Sequence, residues 1–264
     1  MAEGPLNLSD LCQADFWRSV SSPDTRKTPV CVVLPSGRSR LATSGHLALI
    51  SDALHTHEVV LAIDQLSRTG GLDGAEVKSM LDIDFYEALA QTRNARSEAE
   101  KASAQQEAGT ILTSNVLTFA TADINVVTKL LLEELKSEEA YGIGFRKPYE
   151  DCGISGGQGK RYAVSAYPNI GVLAAYWSPW ATPLKRIAIV CGGVLAPGSL
   201  GATRLLLRYL CGEAKGNNRF LPDRPVRIIS ASIRDYRYTE LLPTAECLPN
   251  HELRNITEEL IIHE

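Results

Sequence analysis

The run Ala196, Pro197, Gly198, Ser199, Leu200, Gly201 holds residue types suited to cradling a phosphate. Glycines at 198 and 201 let backbone N–H groups turn toward an anion, and a helix starting near Ser199 would add the favourable end of its dipole. The same glycines would equally serve a tight crossover from strand to helix, so two readings stand. Other candidates for chemistry are sparser. The six cysteines are scattered, with no Cys-x-x-Cys, which argues against a disulfide framework and a zinc ribbon. Cys31, Cys191 and Cys211 lie in or beside apolar runs and are expected in the core. His55 and His57 offer two ligands where a structural zinc wants about four, so a surface turn is expected and no metal site. Asp82 and Asp84 read as a solvated acidic loop.

Charge supplies the next constraint. The 264 residues carry a net −4, but residues 1–110 stand at −5 while residues 146–237 hold 14 basic and 5 acidic residues. A local excess of +9 suits a phosphate-bearing ligand or nucleic acid, or is a solvated basic face balanced by the acidic half. No apolar run approaches the roughly 20 residues needed to cross a bilayer, and residues 1–10 lack the basic and apolar regions of a signal peptide. A cytoplasmic protein with no membrane partner is expected.

These residues need elements to hold them. PVCVVLPSG reads as a strand and turn, SGHLALISDAL as a helix, and HEVVLAIDQL as strand or helix, so residues 1–85 form an α/β region of unknown role. Tyr86–Gly109 is rich in helix formers with few apolar anchors and reads as one exposed helix, making residues 86–110 a connector. Beyond it, Val116–Phe119 is a strand, Thr121–Asp123 caps a helix with apolar residues at Ile124, Val127, Leu130, Leu131 and Leu135, and RYAVSAYPNIGVLAAYW reads as a hairpin turning at Pro168 and Asn169. LKRIAIV and PVRIISAS are further strands on either side of the glycine-rich turn and its helix, and TEELIIH closes the chain as an edge strand.

Over residues 111–264 this order resembles the GCN5-related N-acetyltransferase superfamily. VLTFATADINVVTKLLLEEL looks like the family's opening strand and first helix, LKRIAIV like its central strand, and PGSLGATRLLLRYL like its pyrophosphate-binding turn and helix. The turn departs from the family pattern, since its leading basic residue is missing and Ser199 stands at the first glycine. The resemblance implies an α/β fold with a mixed central sheet flanked by helices, preceded by a smaller N-terminal α/β or helical extension. It implies an acyltransferase using acetyl-CoA or another acyl-CoA, held by Gly198, Ser199, Leu200, Gly201 and Ala202. The backbone of Ile187, Ala188, Ile189 and Val190 would pair with the pantetheine arm. The acceptor would be an amine on a small molecule or a macromolecule.

Acyl transfer to an amine needs a base for the amine and an acid for the leaving thiolate. The family places a Tyr acid just after the last core strand, where this chain has Tyr236 and Tyr238; Tyr238 is preferred, with Arg237 beside it favouring ionisation. Packing against the sheet is the alternative role for both rings. Base candidates are Asp235, Glu150 and Asp151. A narrower resemblance is to the phage Mom-type branch, which modifies adenine in DNA. There Arg186, Ser230 and Asp235 stand in comparable places, the basic stretch would meet DNA phosphates, and Tyr176, Trp177 or Trp180 could stack on an extruded base. The third possibility is an inactive module of the same fold that serves in protein interaction.

Overall fold

The structure is a computed structural model, and it describes residues 6–36, 45–120, 125–139, 142–144, 153–167, 169–181, 184–194, 196–213, 224–232 and 259–263. Strand β1 (Thr28–Leu34), TPVCVVL, is buried along most of its length. A near-continuous apolar run of this kind marks a strand covered on both faces, as in a parallel sheet. β1 pairs in parallel with β2 (Ala75–Leu81) on one side and β3 (Asn115–Phe119) on the other, and β3 pairs in parallel with β8 (Ile187–Gly193). Beyond β8 come β7 (Ile170–Trp177), antiparallel to it, then β9 (Val226–Ser232) and β10 (Glu259–Ile262). One seven-stranded mixed sheet results, ordered β10-β9-β7-β8-β3-β1-β2. The sheet runs unbroken across the boundary placed at residues 86–110, because β1 and β2 pair directly beside β3.

Alternation along the strands sorts the core into two layers. Val30, Val32, Leu117, Ile187, Ile189, Leu173 and Ile229 face helices α1 (Ala14–Ser19), α2 (Gly45–Thr69) and α7 (Ala196–Leu210). Cys31, Val33, Val116, Ala188, Val190, Val172 and Ile228 face the opposite layer. That layer contains α3 (Asp82–Asn94), α5 (Gly109–Thr113), α6 (Val126–Glu139) and a small sheet of β4 (Gly142–Gly144), β5 (Gly153–Ser155) and β6 (Arg161–Ala163). α7 buries Ala202, Leu205, Leu206, Tyr209 and Leu210, the i, i+3, i+4, i+7, i+8 spacing of a helix lying on a sheet. α2 and α7 share a face, although β1 to β2 and β8 to β9 cross the sheet in opposite directions. The two crossovers therefore have opposite hands, and one departs from the usual right-handed rule.

Several elements differ from expectation. From Gly45 onward the segments read as SGHLALISDAL and HEVVLAIDQL are one continuous helix, α2, so His55 and His57 sit on a helix rather than a surface turn. The Tyr86–Gly109 helix is broken: Ala95 is extended, and Ser97 with Glu100 forms a capping box that starts α4 (Glu98–Glu107). The expected hairpin is absent, since β6 pairs with β5 while β7 enters the main sheet. No described helix is long and apolar enough to cross a membrane.

Cys31 and Cys191 are buried as expected, whereas Cys211 is exposed, just past the end of α7. Burial pushes the Cys31 thiol up to about 12, with Lys78 opposing the shift. Two results follow. Iodoacetamide at mildly alkaline pH should modify Cys211 and spare Cys31 until the chain unfolds, read by peptide mapping. The unfolded thiol ionises near its ordinary value of 9.0 while the folded one stays protonated, so the unfolded chain binds fewer protons and stability should fall as pH rises from 9.0 toward about 12.

Candidate functional site

β1, β2, β3, β8 and β9 all end at one edge of the sheet, where β7 begins. In open α/β sheets the crevice outside the carboxyl ends of the strands is the usual ligand site. At the β1 and β3 ends, buried Asp82 accepts hydrogen bonds from Ser36 N at 2.7 Å and Val126 N at 2.8 Å. Asn125 caps α6, its Oδ1 accepting from Val127 N at 3.0 Å and Thr128 N at 3.1 Å, while its Nδ2 donates to Phe119 O at 2.9 Å. The first N–H groups of α6 are thus satisfied from within, and the carboxylate at its positive end is the protein's own. Asp82 is therefore a buried structural residue rather than part of a solvated loop, and the cap is Asn125, while Thr121–Asp123 lie outside the described residues. Ala120, just before them, holds a φ of 86°, a conformation that costs a non-glycine residue on the order of 1–2 kcal/mol. Asp82→Ala would strip acceptors from two backbone donors and should lower stability by roughly 2–4 kcal/mol, measured by urea unfolding.

The glycine-rich segment has a different geometry from the one expected. α7 begins at Ala196, so Gly198 lies in its first turn and Gly201 is buried within it. A Cβ on Gly198 would overlap the Ile170 carbonyl, one on Gly171 would overlap Gly198 O, and one on Gly193 would overlap Ser199 N. Three glycines thus let the helix start rest backbone to backbone on β7 and β8, the crossover role. Ser199, Leu200 and Ala202 are buried in the helix, and the Ser199 hydroxyl has no partner among the described residues. Ile187–Val190 are paired on both sides, to β3 through Ala188, Ile189 and Val190 and to β7 throughout. Ile189 and Val190 therefore present no free backbone edge to a pantetheine arm.

At the β9 end the edge brings together a hydroxyl and an imidazole. Ser230 Oγ lies 2.8 Å from Nε2 of His263, the residue following β10. The register explains the meeting: Ile261 stands opposite Ser230, so His263 shares its face two residues on, and His263 N donates to Ile228 O at 2.8 Å. Both side chains are half-buried. The imidazole is fixed between Tyr162, at 5.3 Å between ring centroids, and Tyr167, at 5.1 Å. Tyr167 is partly open to solvent, and Lys160 Nζ sits 4.8 Å from the centre of the buried Tyr162 ring. Asn169 holds the start of β7 to β9 by donating its Nδ2 to Ala231 O at 3.0 Å. With its proton on Nδ1, His263 accepts from the Ser230 hydroxyl at Nε2, the arrangement of a nucleophile beside its base.

The remaining expected site residues divide as follows. Asp235, Tyr236 and Tyr238 lie outside the described residues, as do Glu150, Asp151 and Arg237. Arg186 is buried, its guanidinium donating to the carbonyls of Thr113, Ser21 and Lys185, and burial lowers its pKa. It is therefore a structural cation rather than a contact for DNA phosphate. Arg227 is buried against Tyr209 OH, so part of the basic excess is internal, and Arg204 is paired with Glu58 at 3.5 Å on the surface. Trp180 is buried against Phe85, which leaves it closed to a base, and the partly buried Trp177 ring carries Lys185 Nζ 4.5 Å from its centre. Among the described residues there is no group of His, Cys, Asp or Glu able to hold a metal. His263 was missed in the sequence because 33 residues separate it from Ser230; the available signal was the strand period of ELIIH, which sets Ile261 and His263 on one face. No family model, curated protein or solved structure matches the chain.

Proposed function

We propose that the protein is an acyltransferase whose reactive centre is the Ser230–His263 pair at the carboxyl edge of the sheet. The observation that carries this reading is the 2.8 Å contact between the hydroxyl and an imidazole fixed by two tyrosine rings. Ser230 Oγ attacks the acyl carbonyl carbon while its proton passes to Nε2. The bond to the leaving group then breaks, and the imidazolium returns that proton to the departing thiolate. The ester left on Ser230 is attacked by an amine, whose proton passes to Nε2, and Oγ leaves reprotonated as the amide departs. An acyl-CoA is the donor that the resemblance implies, and an amine is the acceptor.

In this scheme His263 replaces Tyr238 or Tyr236 as the acid. Tyr238→Phe separates the two: unchanged turnover assigns proton return to His263, whereas a loss of about 10²-fold or more assigns it to the phenol. The overall test is thiol release from acetyl-CoA in the presence of a mixture of primary amines. Release by the wild type that disappears in Ser230→Ala supports the reading. Binding of acetyl-CoA without release, or no binding at all, favours the inactive interaction module, for which the packed glycines and the fully paired β8 also speak.

A further inference from the structure

β2 closes one end of the sheet, and among the described residues no strand pairs with its outer edge. Natural edge strands are usually shortened, bulged or interrupted by proline, because a row of unpaired N–H and C=O groups templates association. β2 is neither shortened, bulged nor broken by proline, and the charge of Lys78 is the protection it carries. Its register with β1 runs without interruption from Ala75 to Leu81, and Val77 and Leu81 are 41% and 44% exposed. Tyr86, in the helix that follows, is 40% exposed. β10, at the opposite end, is only four residues long.

We propose that β2 pairs with β2 of a second copy of this chain, antiparallel about a twofold axis at Val77, so that the two sheets become one. The choice of occupant rests on charge. With Val77 opposite its own copy, Ala75 faces Ser79, and Glu76 faces Lys78 twice over, once on each side of the axis. Centring the pair on Lys78 would set two ammonium groups opposite one another, which disfavours that register. A twofold contact of this kind is self-complementary and closes at a dimer. Lys78 Nζ lies 3.4 Å from Thr110 Oγ1, a contact weak enough to yield to Glu76 of the second copy.

The test is sedimentation velocity of the full chain over roughly 1–200 µM, the range in which a small interface associates. The wild type should shift from monomer toward dimer with concentration. Lys78→Glu should weaken association about ten-fold or more, since both cross-strand pairs become repulsive, and the exchange Glu76→Lys with Lys78→Glu should restore it. A wild type that stays monomeric throughout overturns the proposal. So does a Lys78→Glu variant that dimerises like the wild type, or a double exchange that fails to recover.

Discussion

Replacing His263 with glutamine should lower acyl transfer by about 10²- to 10⁴-fold, the usual worth of a positioned base. The substitution keeps a side chain able to bond Ser230 Oγ but removes the nitrogen that takes and returns the proton. Lost ring contacts with Tyr162 and Tyr167 should cost roughly 1 kcal/mol, so the chain should remain folded. Hydrolysis of p-nitrophenyl acetate, followed beside a circular dichroism melt, separates the two effects. Turnover within about three-fold of wild type in a folded variant would assign the pair to cross-strand packing alone.

The second large effect concerns the helix that lies over β7 and β8. Gly198→Val should destabilise the protein by more than about 3 kcal/mol, because the new Cβ meets the backbone of Ile170 and Gly171, which has no rotamer to yield. Gly109→Ala is the control. No atom beyond its chain neighbours and its own helix backbone lies within 4 Å of a Cβ there, and the position opens α5, so the change should be neutral or slightly stabilising. Guanidinium unfolding of both variants measures the contrast. A Gly198→Val variant as stable as the wild type would mean that the turn is not packed on the sheet and would reopen its use for an anion.

How much of this was legible in the sequence differed from element to element. VCVVLP announced a buried strand, and the apolar spacing from Ala202 to Leu210 announced α7, because each pattern reflects its own burial. β2 gave no such signal: AEVKSML is a half-exposed edge strand, and its pairing with β1 rather than its composition makes it a strand. The capping box at Ser97 and Glu100 was present in the residues and marks where the long helical stretch breaks. RYAVSAYPNIGVLAAYW has the pattern of a hairpin, yet β7 is claimed by β8 and β9, a competition between distant strands that no local pattern records. The glycine-rich segment was located correctly in the chain. Whether its glycines serve a phosphate or a backbone contact depended on Gly171 and Gly193, which lie elsewhere in the sequence. Ser230 and His263 meet through the register of β9 and β10, so strand pairing had to be known before the pair could be seen.

The most direct measurement is intact-mass analysis of the full chain after incubation with a fluorophosphonate probe, followed by peptide mapping. Attack by an activated hydroxyl expels fluoride and leaves a stable phosphonate ester. The account predicts a single adduct on Ser230, absent in Ser230→Ala and formed at least about 10²-fold more slowly in His263→Gln. A folded wild type that gains no adduct on Ser230, or that labels no faster than His263→Gln, would contradict it.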